Sequence, residues 1–85
     1  MPEILIYTSV ACPYCTMAKK LLDRKGAAYT EINVDSRPGL REEMMQKTRR
    51  RTVPQIYIGD LHVGGFDELH ALDMQHKLDE LLTQV

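Results

Sequence analysis

The tetrad Cys12-Pro13-Tyr14-Cys15 restricts the folds open to this chain more than any other stretch. It holds both cysteines of the sequence and sits where the hydrophobic pattern changes period. Before it, Glu3-Ile4-Leu5-Ile6-Tyr7 has the apolar character of a short buried strand. After it, Pro13 to Lys25 sets Ala18, Leu21 and Leu22 at helical spacing and stops at Gly26. The pair therefore belongs at a helix start, with Cys12 at the N-cap and Cys15 one turn on. Unpaired N–H groups and the helix dipole favour a negative sulfur at that place.

That position gives the two sulfurs different work. The N-cap sulfur projects past the helix end, so Cys12 is the candidate nucleophile. The Cys15 sulfur turns back beneath it as the resolving thiol. Helical spacing of three brings the Cα atoms near the roughly 4.4–6.8 Å that a disulfide requires. A cysteine ordinarily titrates near ~8.5, and helix N-termini and Cys-x-x-Cys placement lower this to roughly 3.5–7.5. Pro13 suits the first turn, where its missing N–H loses nothing. A structural zinc site would need four protein ligands, and His62, His70 and His76 have no ligand spacing with the cysteines. A buried inert pair would sit inside an element rather than at its start.

The rest of the chain reads as alternating strands and helices. Tyr29 to Val34 is a second strand, which makes a right-handed βαβ unit with the first. Ser36 is the expected cap of a helix that uses Pro38 in its first turn, turns Leu40 and Met44 inward, and ends near Thr48. Gln55–Ile58 and Leu61–Val63 flank Gly59-Asp60, a two-residue hairpin signal. Gly64-Gly65 then opens a helix from Phe66 to Met74, and Lys77 to Leu82 carries Leu78, Leu81 and Leu82. The fold class is α/β, ordered β-α-β-α-β-β-α with a helical extension, as a mixed four-stranded sheet with helices on both faces. Met17, Met44, Met45 and Met74 are expected to fill gaps in a small core, and the histidines to be solvated.

Composition limits the remaining classes. With 85 residues the chain is expected to be one domain, 1–85, burying roughly 60–65% of its unfolded surface. A net charge of −1 argues against a nucleic-acid partner. No apolar run reaches membrane-span length and no signal peptide follows Met1, so the expected compartment is the cytoplasm. Two cysteines in such a chain point to catalysis or metal binding rather than a disulfide scaffold.

Three motifs in this order resemble the glutaredoxin family, specifically its small dithiol bacterial members. They are Cys-Pro-Tyr-Cys after the first strand, Thr52-Val53-Pro54 before the third, and Gly64-Gly65-Phe66-Asp67 after the fourth. The resemblance covers essentially the whole chain. It implies a thioredoxin-like fold and glutathione-dependent reduction of protein disulfides and glutathione mixed disulfides. Glutathione would be a co-substrate, with no tightly bound cofactor or metal. The implied partners are disulfide-bearing or glutathionylated proteins, with ribonucleotide reductase as one acceptor, and the chain would act as a monomer. The implied potential is the roughly −200 to −230 mV characteristic of glutaredoxins.

The same resemblance distributes glutathione over named positions. Only about 5–6% of X–Pro bonds are cis, so the local sequence favours a trans Pro54. The resemblance instead implies a cis proline, with the Val53 backbone pairing to the cysteinyl backbone of glutathione and Thr52 beside it. Gly65, Phe66 and Asp67 would take the zwitterionic γ-glutamyl end. That segment reads equally well as a plain strand-to-helix turn. Arg50, from the basic run Lys47 to Arg51, would reach the glycine carboxylate, and the Tyr14 ring would cover the mixed disulfide. Two positions depart from the family pattern. Thr8-Ser9-Val10-Ala11 offers no lysine before Cys12, and Arg49 stands where a small residue is common.

Two other readings remain. One is an electron donor served by thioredoxin reductase, although Trp-Cys-Gly-Pro-Cys and any Trp are missing. The other is an iron–sulfur carrier in which two protomers and two glutathiones ligate one cluster. Proline after the first cysteine disfavours that assembly in similar proteins.

Overall fold

The computed structural model describes residues 2–83, so the ends of the expected 1–85 domain (Met1, Gln84 and Val85) lie outside the described residues. Eight elements follow in order: β1 (Ile4–Thr8), α1 (Pro13–Arg24), β2 (Thr30–Asn33), α2 (Leu40–Thr48), β3 (Gln55–Ile58), β4 (Leu61–Gly64), α3 (Phe66–Met74) and α4 (Lys77–Thr83). The sheet order is β2-β1-β3-β4. Strand β2 runs parallel to β1, as a helical crossover demands, while β3 and β4 are antiparallel to their neighbours. This is the four-stranded mixed sheet of a thioredoxin-like fold.

Strand alternation divides the apolar residues between two layers. Ile4, Ile6, Ile56 and Ile58 face Ala18, Leu21 and Leu22 of α1, Leu69 of α3, and Leu78 and Leu82 of α4. Tyr7 and Val34 pack with Leu40 and Met44 of α2, supported by Leu5, Ile32, Met45, Val53 and Tyr57. Helices therefore cover both faces, and β1 is central to both layers.

Several expected details differ. Helix α2 starts at Leu40 behind Gly39, which has φ 89°, rather than at a Ser36 cap. The Ser36 hydroxyl donates instead to the Asn33 carbonyl at 2.7 Å, which ends β2 in a turn, and Pro38 lies in the next turn, before α2. Met17 and Met74 are exposed rather than core fillers, while Met44 is fully buried and Met45 half-buried. Both exposed methionines sit on the outer side of helices whose inner side is already filled by Ala18, Leu21, Leu22 and Leu69. His70 and His76 are exposed, but His62 is half-buried and hydrogen-bonded. The remaining boundaries move by at most one residue.

One polar cluster bears on pH. The Thr8 hydroxyl, itself buried, donates to the Glu31 carboxylate at 2.7 Å, and Lys19 of α1 pairs with the same oxygen at 3.1 Å. The hydroxyl first, then Lys19, hold the Glu31 carboxyl below its ordinary range. A depressed carboxylate stabilises the fold above its unfolded pKa and loses that contribution as pH falls through the folded value. Glu31→Gln is therefore expected to lower the thermal midpoint modestly at neutral pH. The gap to wild type should close below roughly pH 4, as read by thermal scans across pH.

Candidate active site

The two cysteines occupy the turn from β1 into α1. Cys12 is the N-cap in an extended conformation, Pro13 follows at the first helical position, and the Cys15 backbone N–H donates to Cys12 Sγ at 3.1 Å. The cysteines form a disulfide with their Cα atoms 5.2 Å apart. Cys15 is 2% exposed, whereas Cys12 is only half-buried, so the sulfurs differ in access. The loop that delivers Cys12 is pinned from β2's side. The Asp35 carboxylate accepts from the Val10 N–H at 3.1 Å and from Arg41 at 3.3 Å, and Ala11 adopts φ 53°. The Val10 N–H first, then Arg41, hold the Asp35 carboxyl below its ordinary range.

The Val53–Pro54 bond is cis, and Cys12 Sγ lies 3.8 Å from the Val53 carbonyl oxygen. A groove of about 250 Å³ begins beside this contact, lined by Tyr14, Arg50, Thr52, Val53, Pro54, Gly65, Phe66, Asp67 and Glu68. All eight noncysteine residues singled out in the sequence thus meet in one depression. The Tyr14 ring, 57% exposed, stands 6.3 Å from Phe66, whose ring also stacks on His70 at 5.5 Å.

Glu68 is the lining residue that sequence reasoning missed. Its carboxylate accepts from the Gly65 N–H at 3.0 Å and from Arg50 at 2.6 Å. Both contacts, the backbone one first, hold its carboxyl below the ordinary range. An acid three residues after an N-cap is half of a capping box, and that signal was present in Gly65 to Glu68. Gly64 stands at φ 113°, where any side chain is strained, and a Cβ there would also run into the Glu68 carboxylate. Arg50 is thus ion-paired at the groove wall, and Arg49 and Arg51 are exposed. Among the described residues, no group of three His, Cys, Asp or Glu side chains could hold a metal ion. No helix among them is long and apolar enough to cross a membrane.

A disulfide closed across the first turn of a helix, with one sulfur accessible and the other covered, is the working part of a thiol–disulfide oxidoreductase. The family model described as glutaredoxin matches residues 4–63, and the chain belongs to the glutaredoxin family. A glutaredoxin of Pseudomonas aeruginosa is 54% identical over 83 residues, covering 98% of this chain and 99% of that protein. The solution structure of glutaredoxin from Brucella melitensis is 52% identical with a TM-score of 0.85, covering 96% of this chain and 89% of the other. A buckwheat glutaredoxin–glutathione complex is 33% identical with a TM-score of 0.89, covering 96% and 77%.

Proposed function

We propose that this chain is a glutathione-dependent thiol–disulfide oxidoreductase, acting on protein disulfides and glutathione mixed disulfides through Cys12 and Cys15. One observation carries the reading: the accessible sulfur, Cys12, lies 3.8 Å from the Val53 carbonyl at the head of a peptide-sized groove. The likeness to a glutaredoxin that binds glutathione supports the choice of tripeptide.

In this reading the Val53 backbone pairs with the cysteinyl unit of glutathione as a short strand addition. Thr52 and cis Pro54 form one wall, and Tyr14 covers the sulfur. The start of α3 at Gly65, Phe66 and Asp67 receives the γ-glutamyl end, with amides for its carboxylate and Asp67 for its ammonium. Arg50 takes the glycine carboxylate while sharing its charge with Glu68.

The Cys12 thiolate, steadied by the Cys15 N–H, attacks the glutathione sulfur of a mixed disulfide. A Cys12–glutathione bond forms and the client leaves as a thiolate that takes up a proton. The thiolate of a second glutathione then attacks the bound glutathione sulfur, which releases glutathione disulfide and the Cys12 thiolate. With a protein disulfide, Cys12 forms the mixed disulfide and the Cys15 thiolate displaces the reduced client, closing Cys12–Cys15. Two glutathiones reopen that bond. Clients are disulfide-bearing or glutathionylated proteins, ribonucleotide reductase among them. The chain works as a monomeric single domain over 1–85 in the cytoplasm.

The test supplies reducing equivalents by two routes. With glutathione, glutathione reductase and NADPH, a glutathionylated peptide is expected to be turned over with saturation. With NADPH and thioredoxin reductase alone, turnover is expected to be at background. Equal rates by the second route would overturn glutathione dependence.

A further inference from the structure

We propose that Gln55 and His62 are positioning residues that hold the Thr52–Val53 segment at its place beside Cys12. Gln55 opens β3 directly after Pro54, and its side chain is fully buried at 0% exposure. A primary amide without water must place two donors and an acceptor among protein atoms. Its Nε2 donates to the Thr52 carbonyl at 2.9 Å and lies 3.3 Å from the Thr52 hydroxyl. A carbonyl can only accept, so this bond fixes which way the amide faces. Its Oε1 is then aimed at His62 Nε2, 2.8 Å away, and that nitrogen carries the proton.

His62 is itself held in place. It stands on β4 opposite Tyr57, where the register shifts at Ile56 and Tyr57, and its ring stacks on Tyr57 at 4.8 Å and 22°. Burial first, then Arg50, push its pKa down, while Glu68 opposes them. Nε2 bears hydrogen in both the neutral ring with this tautomer and the charged ring, so the bond to Gln55 survives either state. The chain of contacts runs from the β4 ring through a buried amide to the backbone whose next carbonyl, that of Val53, meets Cys12 Sγ. Neither residue lines the groove or touches a cysteine sulfur. Their action on the reaction therefore passes through Thr52 and Val53. Without the His62 donor, Gln55 Oε1 is left buried and unpaired, and turning the amide to relieve it takes Nε2 off Thr52.

The inference rests on the groove binding the glutathione portion of substrate, and the experiment separates the two. His62→Phe keeps the stacked ring and removes the donor, and His62→Gln returns a donor at the same reach. Gln55→Met replaces the amide by an apolar chain of similar size. Each is assayed for KM and kcat on a glutathionylated peptide, for the pH midpoint of Cys12 alkylation, and for backbone order of the Thr52 and Val53 amides by NMR relaxation.

His62→Phe is expected to raise KM about 5- to 10-fold with kcat within about twofold. It should lower the order of both amides and leave the alkylation midpoint unchanged. His62→Gln is expected to restore KM and order. Should His62→Phe fail to fold, Gln55→Met decides by the same readings. Unchanged KM and order in a folded variant, or a His62→Gln protein indistinguishable from His62→Phe, would overturn the proposal. Absence of glutathione dependence in the wild type would sink the groove reading alone, because the NMR comparison judges the anchor without any ligand.

Discussion

Cys12→Ser is expected to lower turnover of a glutathionylated peptide by about 1,000-fold or more, whereas Cys15→Ser retains that activity within a few-fold. The first loss follows because a serine hydroxyl is not ionised near neutrality and forms no disulfide. The second variant survives for a reason visible in the backbone. The group that donates to Cys12 Sγ is the N–H of residue 15, and a serine there carries the same N–H. What Cys15→Ser removes is the covered sulfur that closes on Cys12, so reduction of protein disulfides should fall at least about tenfold. Coupled NADPH oxidation on the two substrate types separates these outcomes. Equal losses in both variants on both substrates would undo the division of roles.

Ile6→Ala is expected to produce the largest loss of stability among single core truncations near the site. Ile6 is fully buried in β1, against the side chains of α1, α3 and α4. Removing three carbons there costs the transfer free energy plus a cavity, about 2–5 kcal/mol. In a domain of this size each kcal/mol shifts the midpoint by about 4–8 °C, so a fall of roughly 10–30 °C follows. Met17→Ala, on the exposed side of α1, should stay within about 0.5 kcal/mol of wild type. Thermal unfolding followed by circular dichroism checks both, and a small loss for Ile6→Ala would contradict the layered core described above.

Local patterns carried most of the fold. The period change at Cys12, the apolar faces of Ile4 to Tyr7 and Ala18 to Leu22, and the Gly59-Asp60 turn were readable because neighbours in sequence fix them. The start of α2 was not, because Ser36 had a competing acceptor in the Asn33 carbonyl that only the end of β2 reveals. The groove-lining residues came from motif resemblance, and the fold gathers them into one depression. Glu68 was within reach as an N3 acid, but its bond to Arg50 spans 18 positions and no local rule encodes it. Gln55 and His62 lay hidden for a similar reason. A glutamine at a strand start reads as surface until the sheet closes over it, and a lone histidine gives no sign of the amide it will meet.

The parallel crossover acts as a ruler with a fixed step. Residues paired between β1 and β2 differ by 25 positions, Leu5 with Thr30 through Thr8 with Asn33. The same step continues past both strands to Val10 and Asp35, where a carboxylate replaces the ladder. Length is therefore tolerated unequally along the crossover. An added residue in the turn after Gly26 lengthens a connection and leaves the ruler intact. One added between Asn33 and Asp35 pulls the carboxylate off the loop that presents the nucleophile, so a remote insertion can disarm the sulfur while every strand still pairs.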